Sequence, residues 1–224
     1  MTDEVAAWHW TGDTLRDGRP IPDVGEWIVH DGPIVMRRSG LHASERLISS
    51  LQYVPEHIGN LGPLLHRVTV RGVECRDRDK LVGRERRIEW SLYADDVLLA
   101  FAKRVALDVL PPSAPAVIRQ YLEGDESVRA AAKAAASSEM MGAVAYYAAC
   151  AAHVACDMES HSGGRAALMA AILVAHYAAY ATAYISGSDA ETDAAKTAAY
   201  IAARHAAIDK YDGWLVEMLT ESAR

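Results

Sequence analysis

The stretch Leu64-Leu65-His66-Arg67-Val68-Thr69-Val70-Arg71-Gly72-Val73 decides how the first half of the chain is read. Its β-branched residues alternate with polar ones at a period of two. Leu65, Arg67, Thr69 and Arg71 fall on one face, and His66, Val68 and Val70 on the other. That is the pattern of a strand with one half-buried face and one charged face. Working outward, further short apolar runs broken by turn residues predict strands at Val5–Trp10, Glu26–Val29, Ile34–Arg37 and Arg87–Leu92. Asp77-Arg78-Asp79-Lys80 reads as a solvated hairpin tip. Ser44 is an expected N-cap, with Leu47, Ile48 and Leu51 forming an apolar stripe behind it. Asp95 and Asp96 open a second helix with the stripe Leu98, Phe101, Val105 and Val109, ended by Pro111-Pro112.

Composition changes sharply near residue 125. Residues 130–207 hold 31 alanines in 78 positions, whereas the first 125 residues hold nine, and all eight prolines precede residue 116. Alanine is the strongest helix former, so helices are expected near 127–159, 165–185 and 190–220, broken at Gly163-Gly164 and Ser186-Gly187-Ser188. The expected fold class is α+β: a small mixed α/β domain over 1–124 and an alanine-rich helical bundle over 125–224. Tyr177, Tyr180 and Tyr184 make one stripe that would lock such a bundle. Residues 166–188 carry no Asp, Glu, Lys or Arg, but alanine, His176 and three tyrosines keep the hydropathy modest. A helix buried in a bundle is expected there rather than a membrane span.

The chain has 224 residues, 51% hydrophobic, with 23 basic and 30 acidic side chains and a net charge of −7. This is enough apolar material for a sizeable core and excludes a disulfide-stapled miniature. Three cysteines (Cys75, Cys150, Cys156) make no framework, and a reducing compartment follows. With no basic segment leading into an apolar one at the start, a cytoplasmic location is expected. The acidic balance disfavours nucleic acid as a partner. Residues 67–87 are locally basic, with eight basic and four acidic side chains. They read as a charged surface, a phosphate-binding pocket or a nucleic-acid contact. Arg67 is the candidate phosphate contact among them.

Chemistry concentrates at Ala7-Trp8-His9-Trp10-Thr11-Gly12 and Ser39-Gly40-Leu41-His42-Ala43-Ser44, with Tyr53 nine residues further on. His9 sits in the first strand between two aromatics. His42 sits between Gly40 and the capped helix, whose free N–H groups suit an anion such as a diphosphate. In the second half, His153, Cys156, Asp157, Glu159 and His161 are residue types that could ligate a metal, but no tandem motif accompanies them and no metal is expected. No Gly-x-Ser-x-Gly, P-loop or Gly-x-Gly-x-x-Gly motif occurs.

The spacing of His9-Trp10-Thr11, Gly40-Leu41-His42-Ala43-Ser44 and Tyr53 resembles the histidine-type ADP-ribosyltransferase superfamily. Those enzymes carry a His-Gly-Ser/Thr motif on the first strand. They then carry a Gly-Ile/Leu-Tyr-Phe-Ala-Asp/Ser-like motif, a short helix ending in an aromatic, and a glutamate for transfer. Here Trp10 stands where that family has glycine, His42 where it has tyrosine, and the second motif is one residue shorter. The resemblance implies an ADP-ribosyltransferase-like fold and NAD as cofactor. His9 would hold the nicotinamide ribose, Tyr53 or Trp10 would stack on a ring, and Glu85 or Glu89 would act in transfer. Catalytic candidates are thus His9, His42, Glu85 and Glu89. Cofactor contacts are Trp10, Thr11, Gly40, Ser44, Tyr53 and Arg67. The chain also resembles a family of phage and bacterial proteins of uncharacterised activity with a Gly-Leu-His-Ala-Ser signature and an alanine-rich tail. Two function classes follow: an NAD- or nucleotide-binding protein, as transferase or NAD glycohydrolase; or a non-enzymatic protein that binds a host or defence component through its helices, with self-association possible in either.

Overall fold

The computed structural model describes residues 4–53, 64–137, 177–183 and 193–223. They fall into two compact units, one holding residues 4–53, 64–95 and 216–223, the other 96–137, 177–183 and 193–215. The architecture is α+β, with a sheet in the first part of the chain and helices after it.

The sheet is built from β1 (Val5–Thr11), β2 (Trp27–Val29), β3 (Leu41–Ala43), β4 (Leu64–Arg76) and β5 (Leu81–Tyr93). All pairings are antiparallel, in the order β1-β4-β5-β2, with β3 also on β5 beside Leu81–Gly83. The decisive strand runs three residues further than its sequence predicts, to Arg76. Asp77–Lys80 closes the β4–β5 hairpin through the Asp77 N–H to Lys80 C=O bond of 2.7 Å. Just past β3, Ser44 exchanges both backbone hydrogen bonds with Trp8 of β1, at 2.8 and 2.9 Å. The hydrogen-bond path β1-β4-β5-β3 therefore returns to β1 through this one bridge, and the strands curl into a small barrel. Its inward face packs Ala7, Ala43, Val68, Val70, Leu81 and Ile88. Gly83 is required where β4 and β5 cross closely: a Cβ there would lie 2.5 Å from Val70 Cγ1 and 2.6 Å from the Arg71 carbonyl.

Two expectations are corrected. Ile34–Arg37 is not a strand but part of a tight turn, in which the Arg38 and Ser39 N–H groups donate to the Val35 carbonyl at 3.0 and 2.9 Å. Arg37 takes φ 66°, and a run of three apolar residues and an arginine without a neighbouring strand to pair with gains nothing by extending. Nor does Ser44 cap a helix. Its backbone is spent on Trp8, the N-cap position is Arg46 with no side-chain bond, and α1 (Leu47–Ser50) is one turn long, followed by the 3₁₀ turn Leu51–Tyr53. β3 escaped the sequence reading because three residues are too few to show alternation; its pairing partner makes it a strand.

In the second unit, α2 (Asp95–Val109) buries Leu98, Phe101 and Val105 of the stripe its sequence predicts, leaves the fourth member, Val109, half-buried, and stops before Pro111. α3 (Ala116–Leu122), α4 (Arg129–Ser137), the helical segment 177–183 and α5 (Asp193–Ser222) follow. Asp108 of α2 takes Lys210 Nζ at 2.6 Å and the hydroxyl of fully buried Tyr211 at 3.1 Å from α5. The expected breaks at Gly163-Gly164 and Ser186–Ser188 and the His153–His161 group lie outside the described residues. So does most of the 166–188 stretch. Among the described residues no helix is long and apolar enough to cross a membrane.

Candidate functional site

Alternation along β1 turns Ala7, His9 and Thr11 to the inward face of the barrel and Trp8 and Trp10 outward. On β5, Arg86 lies two residues from Ile88 and shares its inward face. The barrel's apolar filling does not extend to His9 and Arg86, and a cavity of about 920 Å³ opens there, within the size range of small-molecule sites. His9, Trp10 and Thr11 line it, and Gly40, His42, Ser44 and Tyr53 line it from β3, its flanks and the 3₁₀ turn. The cationic members of the wall are Arg16, Arg19, Arg38, Lys80 and Arg86, against the carboxylates Asp13 and Asp17. In a chain of net charge −7, this is a local excess of positive charge.

The imidazoles differ in what they are free to do. His42 has both nitrogens engaged: Nε2 accepts the Arg37 N–H at 2.9 Å, which leaves the proton on Nδ1 to donate to the Gly40 carbonyl at 3.0 Å. It staples the 37–42 turn, with both ring nitrogens engaged in doing so. Burial first, then the charge of Lys80, lowers its pKa to about 4. His66 is fully buried, with Nε2 2.8 Å from Thr11 Oγ1 and Nδ1 2.6 Å from Ser91 Oγ. Desolvation and the charge of Arg86 bring its pKa to about 4 as well. His9 stacks on His66 with ring centroids 6.1 Å apart. It keeps some surface open to the cavity, yet the protein encloses it closely enough that desolvation, followed by Arg86, pushes its pKa well down. Among the described residues its ring nitrogens have no hydrogen-bond partner, so His9 offers a neutral imidazole to a ligand.

No family model matches this chain, and no curated protein or solved structure matches it either.

Several candidates are placed by the fold in other work. Trp10 is 3% exposed and its Nε1 donates to Ser50 Oγ at 2.7 Å, so the indole is not a free stacking platform. The Tyr53 ring already carries Lys80 Nζ at 3.6 Å, and its hydroxyl donates to Asp79 at 2.5 Å. Burial, then that bond, raises its pKa to about 12. Glu85 and Glu89 do not line the cavity. Glu85 sits on the outward face opposite Arg71, 3.8 Å from its Nη1. Glu89 is the extra residue of a β-bulge, where pairing jumps from Arg67–Trp90 to Val68–Ile88, and it accepts from Thr69 and from Arg87 at 2.9 and 3.0 Å. Arg67 also points outward, its guanidinium 4.4 Å from the Trp8 ring centroid.

Arg86, Lys80, Arg16 and Arg38 were not singled out from the sequence. Arg86 had a legible signal: in Arg84-x-Arg86-x-Ile88 it takes a position of the apolar face. Gly40 is needed where it stands, since φ is 103° and a Cβ would lie 2.5 Å from Val82 Cγ1. Among the described residues no group of three or more His, Cys, Asp or Glu side chains is placed to hold a metal ion.

Proposed function

We propose that this chain binds a phosphorylated small molecule of the nucleotide class, NAD being the expected one, in the basic cavity at the open end of the barrel. The reading rests on one observation: His9, Thr11, Gly40, His42 and Tyr53, spread over 45 positions of sequence, meet around a single cavity with an excess of cationic side chains. His9 supplies a neutral ring nitrogen for a ribose hydroxyl. The Thr11 hydroxyl is oriented by His66, and the cations complement phosphate charge. The ADP-ribosyltransferase-like reading of the sheet belongs with this proposal. Glu85 and Glu89 are held on the outward face, and of the two carboxylates in the wall Asp17 is bridged to Arg19 at 2.7 Å. The reading is accordingly one of binding rather than transfer.

Calorimetric titration with NAD and ADP-ribose tests it, with an His9→Ala variant alongside. Micromolar binding by the wild type, weakened in the variant, is expected. No heat with either ligand, in protein shown by circular dichroism to be folded, overturns the proposal. The weight would then pass to a phage or bacterial protein acting on a partner through its helices.

A further inference from the structure

Arg86 is 4% exposed, on the inward face of β5 at the cavity wall. One of its terminal nitrogens, Nη1, donates to the His42 carbonyl at 2.8 Å. Its Nε is buried with no hydrogen-bond partner, and among the described residues no carboxylate lies within ion-pair distance of it. Removing a guanidinium from water without a counter-charge is one of the costlier things a fold can do. Scarcity of acids is not the reason, since the chain has 30 acidic side chains against 23 basic ones. Its strand neighbours are matched: Arg84 has Glu74 at 2.6 Å, Arg87 has Glu89 at 2.9 Å, and Arg71 has Glu4. The carboxylate of Asp17, in the same wall, is taken by Arg19. The unmatched charge is thus the buried one, and it faces the cavity.

We infer that Arg86 is the docking point for the phosphoryl oxygens of the ligand, a phosphate ester or diphosphate whose oxyanion pairs with the edge of the guanidinium that the His42 carbonyl leaves free. A guanidinium presents a planar fork that suits a phosphate. Arg16, Arg38 and Lys80 in the wall supply charge for the remaining oxygens. The inference rests on the nucleotide reading only for what carries the phosphate.

The test compares wild type with Arg86→Met. Thermal melts are run with and without inorganic phosphate at constant ionic strength, and ADP-ribose and adenosine are titrated calorimetrically. Without ligand the methionine variant is expected to melt no lower than wild type, because it removes an uncompensated buried charge. A purely structural Arg86, serving only as a staple to His42, would instead lower the melting temperature. Phosphate is expected to raise the melting temperature of wild type and not of the variant. ADP-ribose affinity is expected to fall roughly 30-fold or more, and adenosine affinity to stay the same. If the methionine variant does not fold, Arg86→Lys, which keeps the charge and loses the fork, makes the same comparison. A variant that retains both the phosphate shift and the ADP-ribose affinity overturns the inference and leaves the nucleotide reading standing. A phosphate shift that Arg86→Met abolishes, with no heat from ADP-ribose or NAD, does the reverse. No response of wild type to phosphate or nucleotide sinks both.

Discussion

Lowering the pH from 7 to 5 should weaken the barrel through His66. This side chain is fully buried between the Thr11 and Ser91 hydroxyls, with the ring of His9 and the charge of Arg86 nearby. No carboxylate among the described residues offsets the charge an imidazolium would carry in that setting. Its pKa falls from 6.5 to about 4, by desolvation and then by Arg86. The unfolded chain takes up a proton as the pH drops through 6.5, and the folded chain refuses it until about 4. The contribution to stability is therefore complete above pH 6.5 and is lost progressively as the pH falls towards 4. A displacement of that size corresponds to about 3.4 kcal/mol in total, of which about 2 kcal/mol is gone by pH 5. Urea unfolding of wild type and His66→Gln, at pH 7 and pH 5 and constant ionic strength, reads the effect. Glutamine keeps a donor and an acceptor for the two hydroxyls but does not titrate. Wild type should lose about 2 kcal/mol more than the variant between the two pH values. Equal losses would refute the reasoning, as would an imidazole NMR titration placing the His66 midpoint near 6.5.

Gly40→Ala should destabilise through a left-handed backbone, about 1–2 kcal/mol, and through the clash with Val82, about 1–3 kcal/mol; Gly124→Ala, at φ 114° with nothing within 4 Å, should show the backbone share alone, and thermal melts compare the two. Trp10→Phe keeps the buried ring and loses the Nε1 bond to Ser50, so denaturant unfolding should register a loss of about 1 kcal/mol. Glu89→Gln should leave ADP-ribose affinity unchanged by calorimetry, because this carboxylate is held by Thr69 and Arg87 on the outward face. A marked loss of affinity would return Glu89 to the site.

What the sequence determined by itself was the part governed by local periodicity and composition. The alternation of Leu65 to Arg71 specified β4, the 98-101-105 stripe specified α2, and Asp77–Lys80 announced the hairpin, because each signal is written within a few residues. His9, Thr11, Gly40, His42 and Tyr53 stood out as chemical or conformational types, and all of them line the cavity. Tertiary structure decided what those residues are free to do. It closed the barrel through Ser44 and Trp8, a pairing 36 positions apart that no local pattern announces, and so removed the helix cap that Ser44 suggested. A bulge turned Glu89 away, and hydrogen bonds set by the fold tied up His42 and Trp10. Arg86 is the clearest case. In sequence it is one arginine among eight basic residues, and what distinguishes it is a buried charge left without a carboxylate. Counter-charge and desolvation depend on which groups the fold brings within a few ångströms, and the order of residues along the chain does not contain those distances.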